Sequence, residues 1–163
     1  GFASTDIAEV HIVDGVEVRL VPSPVPRLKA LGKWGAKDAR DVSAFVDALS
    51  ESMIAHALDF MPDIVHSHDM QGTELGWAVS RRVMALTGRT ISWVHDVHEY
   101  VDGLDSIPWN YRSLALKYER KYLRMADWVF TVSPEISKIL MRDYKHRSFP
   151  DVLLNTHRRR AEE

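Results

Sequence analysis

The chain has 163 residues, 45% of them hydrophobic, and a formal net charge of −2, which fits one compact soluble domain. It has no cysteine, so disulfides and thiolate metal centres are excluded; no apolar stretch is long enough to span a bilayer and no signal peptide opens the chain, so a cytoplasmic location is expected. Charge is unevenly spread: residues 1–111 carry 9 Lys and Arg against 16 Asp and Glu, and residues 112–160 carry 12 against 5. The basic residues are distributed over two predicted helices and a tail, which reads as solvated helix faces rather than a nucleic-acid patch, while permitting peripheral contact with the inner face of a membrane.

Glu9 to Ile12 and Val16 to Val21 alternate apolar and polar residues around Asp14-Gly15, the pattern of a tight hairpin. Residues 22–37, with Pro22, Pro24, Pro26, Gly32 and Gly35, read as loop. Asp38 to Asp59 is predicted helical, with Val42, Phe45, Val46, Leu49, Met53, Ala57 and Leu58 on one stripe. A strand follows Pro62, then a helix over Gln71 to Thr87 with Leu75, Val79, Val83 and Leu86 inward and Gly88 as its stop. The next strand starts near Thr90, a loop covers 100–109, and Asn110 to Met125 is helical, with Tyr111, Leu114, Tyr118, Tyr122 and Met125 inward. After a strand at Trp128, Ser133-Pro134-Glu135 opens a helix with a capping hydroxyl, a first-turn proline and an acid. That helix runs to about Tyr144, and a last strand covers Asp151 to Leu154. Short apolar strands alternating with amphipathic helices predict a parallel sheet with crossover helices.

Such sheets bind ligands beyond the carboxyl ends of their strands. His66 and His68 end one strand; His95, Asp96, His98 and Glu99 end the next. Adjacent parallel strands would bring all four imidazoles to one rim. Two chemistries fit. Imidazoles and carboxylates can ligate zinc, manganese or iron. They can also hold sugar hydroxyls without a metal, steady an oxocarbenium-like charge and donate a hydrogen bond to a leaving phosphate. Spacing leaves both open. Asp102, Asp105 and Trp109 in the loop 100–110 are candidate acceptor contacts; Trp34 reads as a core-capping residue, and Trp77, Trp93 and Trp128 as packing residues. Ser133 lies in no nucleophile elbow and is read as a helix cap.

The order of segments is more specific than any one motif. "PDIVHSHD", a helix, "TISWVHDVHEY", a loop, "ALKYERKYLRMADWVFTVSPEISKIL" and "DVLLN" together resemble the amino-terminal domain of family-4 glycosyltransferases of the GT-B fold, over Pro62 to Asn155. The resemblance implies an α/β, Rossmann-like three-layer domain with a mostly parallel sheet over residues 1–155, lacking the family's first strand and helix, and a tail over 156–163. It implies sugar transfer from a nucleotide-sugar donor with retention and no essential metal or cofactor, the donor being a substrate held mainly by a carboxyl-terminal lobe. In the family a histidine at the end of the Thr90–His95 strand reaches the donor sugar, which points to His95. A related subgroup's aspartate, any residue, histidine, glutamate pattern maps onto Asp96, His98 and Glu99. His95, Asp96 and His98 are thus the catalytic candidates, with His68, Asp69 and Glu99 facing a sugar or lipid-linked acceptor.

The family's glycine-rich opening turn and its second lobe have no counterpart here, so this span is expected to be inactive alone. Sheet edges left open by the missing strand are expected to favour a rearranged sheet, a homo-oligomer or a partner segment. The rival readings are a metal-dependent hydrolase built on His66, His68, His95 and His98, and a non-catalytic sugar-binding or interaction module.

Overall fold

The computed structural model describes residues 2–3, 9–22, 51–105 and 109–155. The proline-rich loop with Trp34, the first part of the helix expected over Asp38–Asp59 and the tail 156–163 lie outside them.

β2 (Glu9–Val13) and β3 (Val16–Pro22) pair antiparallel across Asp14-Gly15. Both turn residues have positive φ, 51° and 80°, the backbone that a two-residue hairpin requires and that Asp-Gly tolerates. A two-residue strand that the sequence does not suggest, β1 (Phe2–Ala3), runs parallel to the end of β3. It completes a small sheet in the order β1-β3-β2.

The second sheet carries the site. Residues 51–60 belong to helix α1. Then follow β4 (Ile64–His68), α2 (Asp69–Thr87), β5 (Ser92–Val97), a single 3-10 turn (Val101–Gly103) and α3 (Trp109–Tyr122), whose end tightens into 3-10 geometry over Leu123–Met125. β6 (Trp128–Thr131), α4 (Pro134–Tyr144) and β7 (Asp151–Val152) complete it. All pairings are parallel, in the order β4-β5-β6-β7. The predicted α/β class is the observed one. Helix punctuation is also as expected: Ser133 Oγ accepts the Ile136 N–H at 3.1 Å with Pro134 behind it, and Gly88, at φ 70°, donates its N–H to Met84 O. α2 begins two residues earlier than the pattern suggests, at Asp69, and the last strand stops at Val152.

Each strand lies beside its predecessor, so right-handed crossovers place successive helices on one side of the sheet. The packing agrees. Trp93, Val97 and Val129 meet Tyr122 and Leu123 from α3 and its extension, and Leu140 and Tyr144 from α4. Ile54, Ala57 and Leu58 of α1 pack with Val79, Val83 and Ile91. The expected third layer is not among the described residues. On the opposite face Ile64 and Trp128 are 63% and 54% exposed. Trp128 therefore departs from its expected packing role; its indole N–H donates to Asp151 Oδ2 at 2.7 Å. Leu86, expected inward, is exposed at the end of α2.

Polar contacts fasten neighbouring elements within each layer. Asp127 N–H donates to Trp93 O at 2.9 Å, and its carboxylate accepts the Trp93 N–H at 2.8 Å, so the turn before β6 is clamped to β5. Buried Glu119 of α3 accepts the Tyr144 hydroxyl of α4 at 2.7 Å.

Candidate functional site

Cross-strand register decides which side chains meet. His68 pairs with Asp96, and Ser67 with His95. Side chains alternate along a strand, so His66, His68 and Asp96 share the face away from the helices, while Ser67 and His95 face α2. The strands end here, and His98, just beyond β5, turns back onto Asp96.

Asp96 is the hub of the exposed face. Its Oδ2 lies 2.9 Å from His98 Nε2 and 3.3 Å from His68 Nδ1. The rings of His66 and His68 are 4.3 Å apart by centroid, and those of His68 and His98 6.0 Å. Asp69, the first residue of α2, accepts the His98 backbone N–H at 3.3 Å through Oδ1. It does so from a left-handed backbone, φ 55°, a conformation that costs free energy outside glycine. The hydrogen bond to Asp96 raises the His98 pKa, with the charges of Asp96, Asp69 and Glu99 adding to it. His66 is held below its ordinary value by desolvation and then by the neighbouring His68. Glu99 is exposed at the lip.

His95 belongs to a different environment. It is 0% exposed, with Ser67 Oγ 2.8 Å from Nδ1 and Thr73 Oγ1 3.3 Å from Nε2. Trp93 Nε1–H donates to Ser67 Oγ at 2.8 Å, and Thr73 Oγ1 donates to Asp69 O at 3.3 Å. One direction satisfies every group. The indole donates to Ser67, Ser67 donates to Nδ1, Nε2–H donates to Thr73, and Thr73 donates to the Asp69 carbonyl. The ring is neutral, and burial lowers its pKa to about 3. Three of the four expected imidazoles thus meet at the lip, and His95 lies behind the sheet. A strand's alternation fixes which of its own residues share a face, and the pairing with its neighbour fixes the rest.

Ser67 and Thr73, which hold His95, carry no motif of their own. The readable signal was Gly72 and Gly76, four apart on one face of α2. A Cβ on Gly76 would fall within 2.7 Å of Trp93 Cε2, and one on Gly72 3.2 Å from Ser67 Cβ, so α2 rests directly on β4 and β5. In the loop after β5, Tyr100 donates to Asp143 Oδ2 at 3.2 Å, while Trp109, Asp102 and Asp105 are exposed.

The glycosyl transferase 4-like domain family matches residues 4–145. No curated protein matches the chain in sequence. Two solved chains of sucrose-phosphate synthase from Thermosynechococcus elongatus are similar in fold. One superposes with a TM-score of 0.58 at 16% identity, covering 94% of this chain and 35% of its own length. The other has a TM-score of 0.55 at 15% identity, covering 89% of this chain and 66% of its own. The chain therefore spans less than two thirds of either synthase chain. Among the described residues no helix is long and apolar enough to cross a membrane.

Proposed function

Because the chain belongs to the glycosyl transferase 4-like family, we propose that it is the acceptor-side lobe of a retaining glycosyltransferase of the GT-B fold. A second lobe holds most of the nucleotide-sugar donor, and this span alone does not turn over. No cofactor takes part; the nucleotide sugar is a substrate, and the acceptor is a sugar or a lipid-linked sugar met at the cytoplasmic side of a membrane. The observation that carries the reading is the gathering of His68, His98, Asp96 and Asp69 where two adjacent parallel strands end, the position at which open α/β sheets bind ligands.

Breaking a glycosidic bond to a nucleotide builds positive charge on the sugar and negative charge on the leaving phosphate. Asp96 and Asp69 supply fixed negative charge to the first. His98, anchored by Asp96 through its ring and by Asp69 through its backbone, is placed to donate to the second or to a substrate hydroxyl. His68 and Glu99 border the acceptor side. His95 sets the height of this lip from behind, by fixing the strand end against α2.

The test uses the enzyme in which this chain is joined to its second lobe. Asp96→Asn and His98→Ala are each expected to lower kcat/KM by about 10²- to 10³-fold, with the fold intact by circular dichroism. Wild-type turnover in both variants would discard these roles.

A further inference from the structure

His66, to which sugar transfer assigns no role, forms a cluster with His68 and Asp96 of the site already described. Each offers one ligand atom, and the three atoms lie within 4.8 Å of one another. We propose that these residues bind a divalent first-row transition ion, with zinc as the occupant.

The geometry follows from the strand pairing. His66 and His68, two apart on β4, face the same way. Asp96 is the in-register neighbour of His68 on β5. His68 Nδ1 and Asp96 Oδ2 are already 3.3 Å apart. That is close to the edge, roughly 3.4 Å, of a tetrahedron with bonds of about 2.0–2.1 Å. The remaining closure falls to His66, whose exposed ring would turn about its two side-chain torsions and give up its present contact with the His68 ring, 4.3 Å away by centroid. Two imidazoles and one carboxylate suit zinc and its neighbours, and not magnesium or calcium, which take oxygen ligands. Bound there, the ion would keep at least one position open to solvent or to an anionic ligand. His98, 2.9 Å from Asp96 Oδ2, would serve as the outer partner that orients the ligating carboxylate. An ion at this position would also tie β4, an edge strand among the described residues, to β5 at the lip.

Calorimetric titration of the metal-free chain with zinc chloride, and separately with magnesium chloride, tests this. One zinc per chain is expected and no magnesium. His66→Ala and His68→Ala should each weaken zinc binding at least ~10-fold, and the double variant should abolish it. Zinc should raise the Tm of the wild type and leave that of the double variant unchanged. Both histidines are exposed, so the variants keep the fold; should the double variant fail to fold, Asp96→Asn takes its place, with the same loss expected. Absence of zinc binding, or equal stoichiometry and affinity in the double variant, overturns the proposal. Neither readout involves sugar turnover, so failure here leaves the reading of the family site standing.

Discussion

His95 and His98 are three residues apart and answer to different forces. His95 is sealed between β5 and α2, with a hydroxyl on each ring nitrogen; His98 sits at the surface against a single carboxylate. Removing the first leaves a cavity, takes the acceptor from the Ser67 hydroxyl and the donor from the Thr73 hydroxyl. His95→Ala is expected to cost about 2–4 kcal/mol of unfolding free energy in urea, and His98→Ala about 1 kcal/mol or less. Equal losses would mean that the buried chain of hydrogen bonds does not hold the strand end. The sequence made these histidines visible as strand-end residues, and it paired His66 with His68 through their spacing. It could not divide them between two faces, because that division rests on Ser67 standing opposite His95, a fact of pairing that neither strand contains alone.

At the level of elements, α3 and α4 are joined through a buried acid. Desolvation raises the Glu119 pKa to about 7, against the lowering effect of the Tyr144 hydrogen bond. A raised folded-state value means that the native chain holds a proton the unfolded chain releases near its ordinary 4.5. The stabilisation is full below the lower value and is lost as pH rises to the upper one. Wild-type urea midpoints should therefore fall between about pH 5 and about pH 7, and Glu119→Gln, neutral throughout and still able to accept from Tyr144, should remove that fall. A variant that tracks the wild type over this interval would show that Glu119 is ionised in the fold. The elements were legible because their signals are local: apolar runs, the Ser133-Pro134 start, the Gly88 stop. The exposure of Trp128 was not, since a strand's apolar residue does not reveal whether a helix covers it.

Considered whole, the molecule has two hydrogen-bonded sheets with no strand pairing between them among the described residues. They should open separately. Gly76→Ala, which drives a methyl group into Trp93 and Ser67, is expected to cost about 1–3 kcal/mol. It should speed amide exchange in β4, β5 and β6 while leaving the amides of β2 and β3 near their wild-type rates. Parallel acceleration in both sheets would show a single cooperative unit. The larger sheet has a further property, since its order in space, β4-β5-β6-β7, is its order along the chain. Each new strand needs only a neighbour already made, and contacts stay close in sequence. A nascent polypeptide leaving the ribosome can therefore lay down this sheet from one side, adding one strand and one helix at a time, without waiting for a distant segment to be translated.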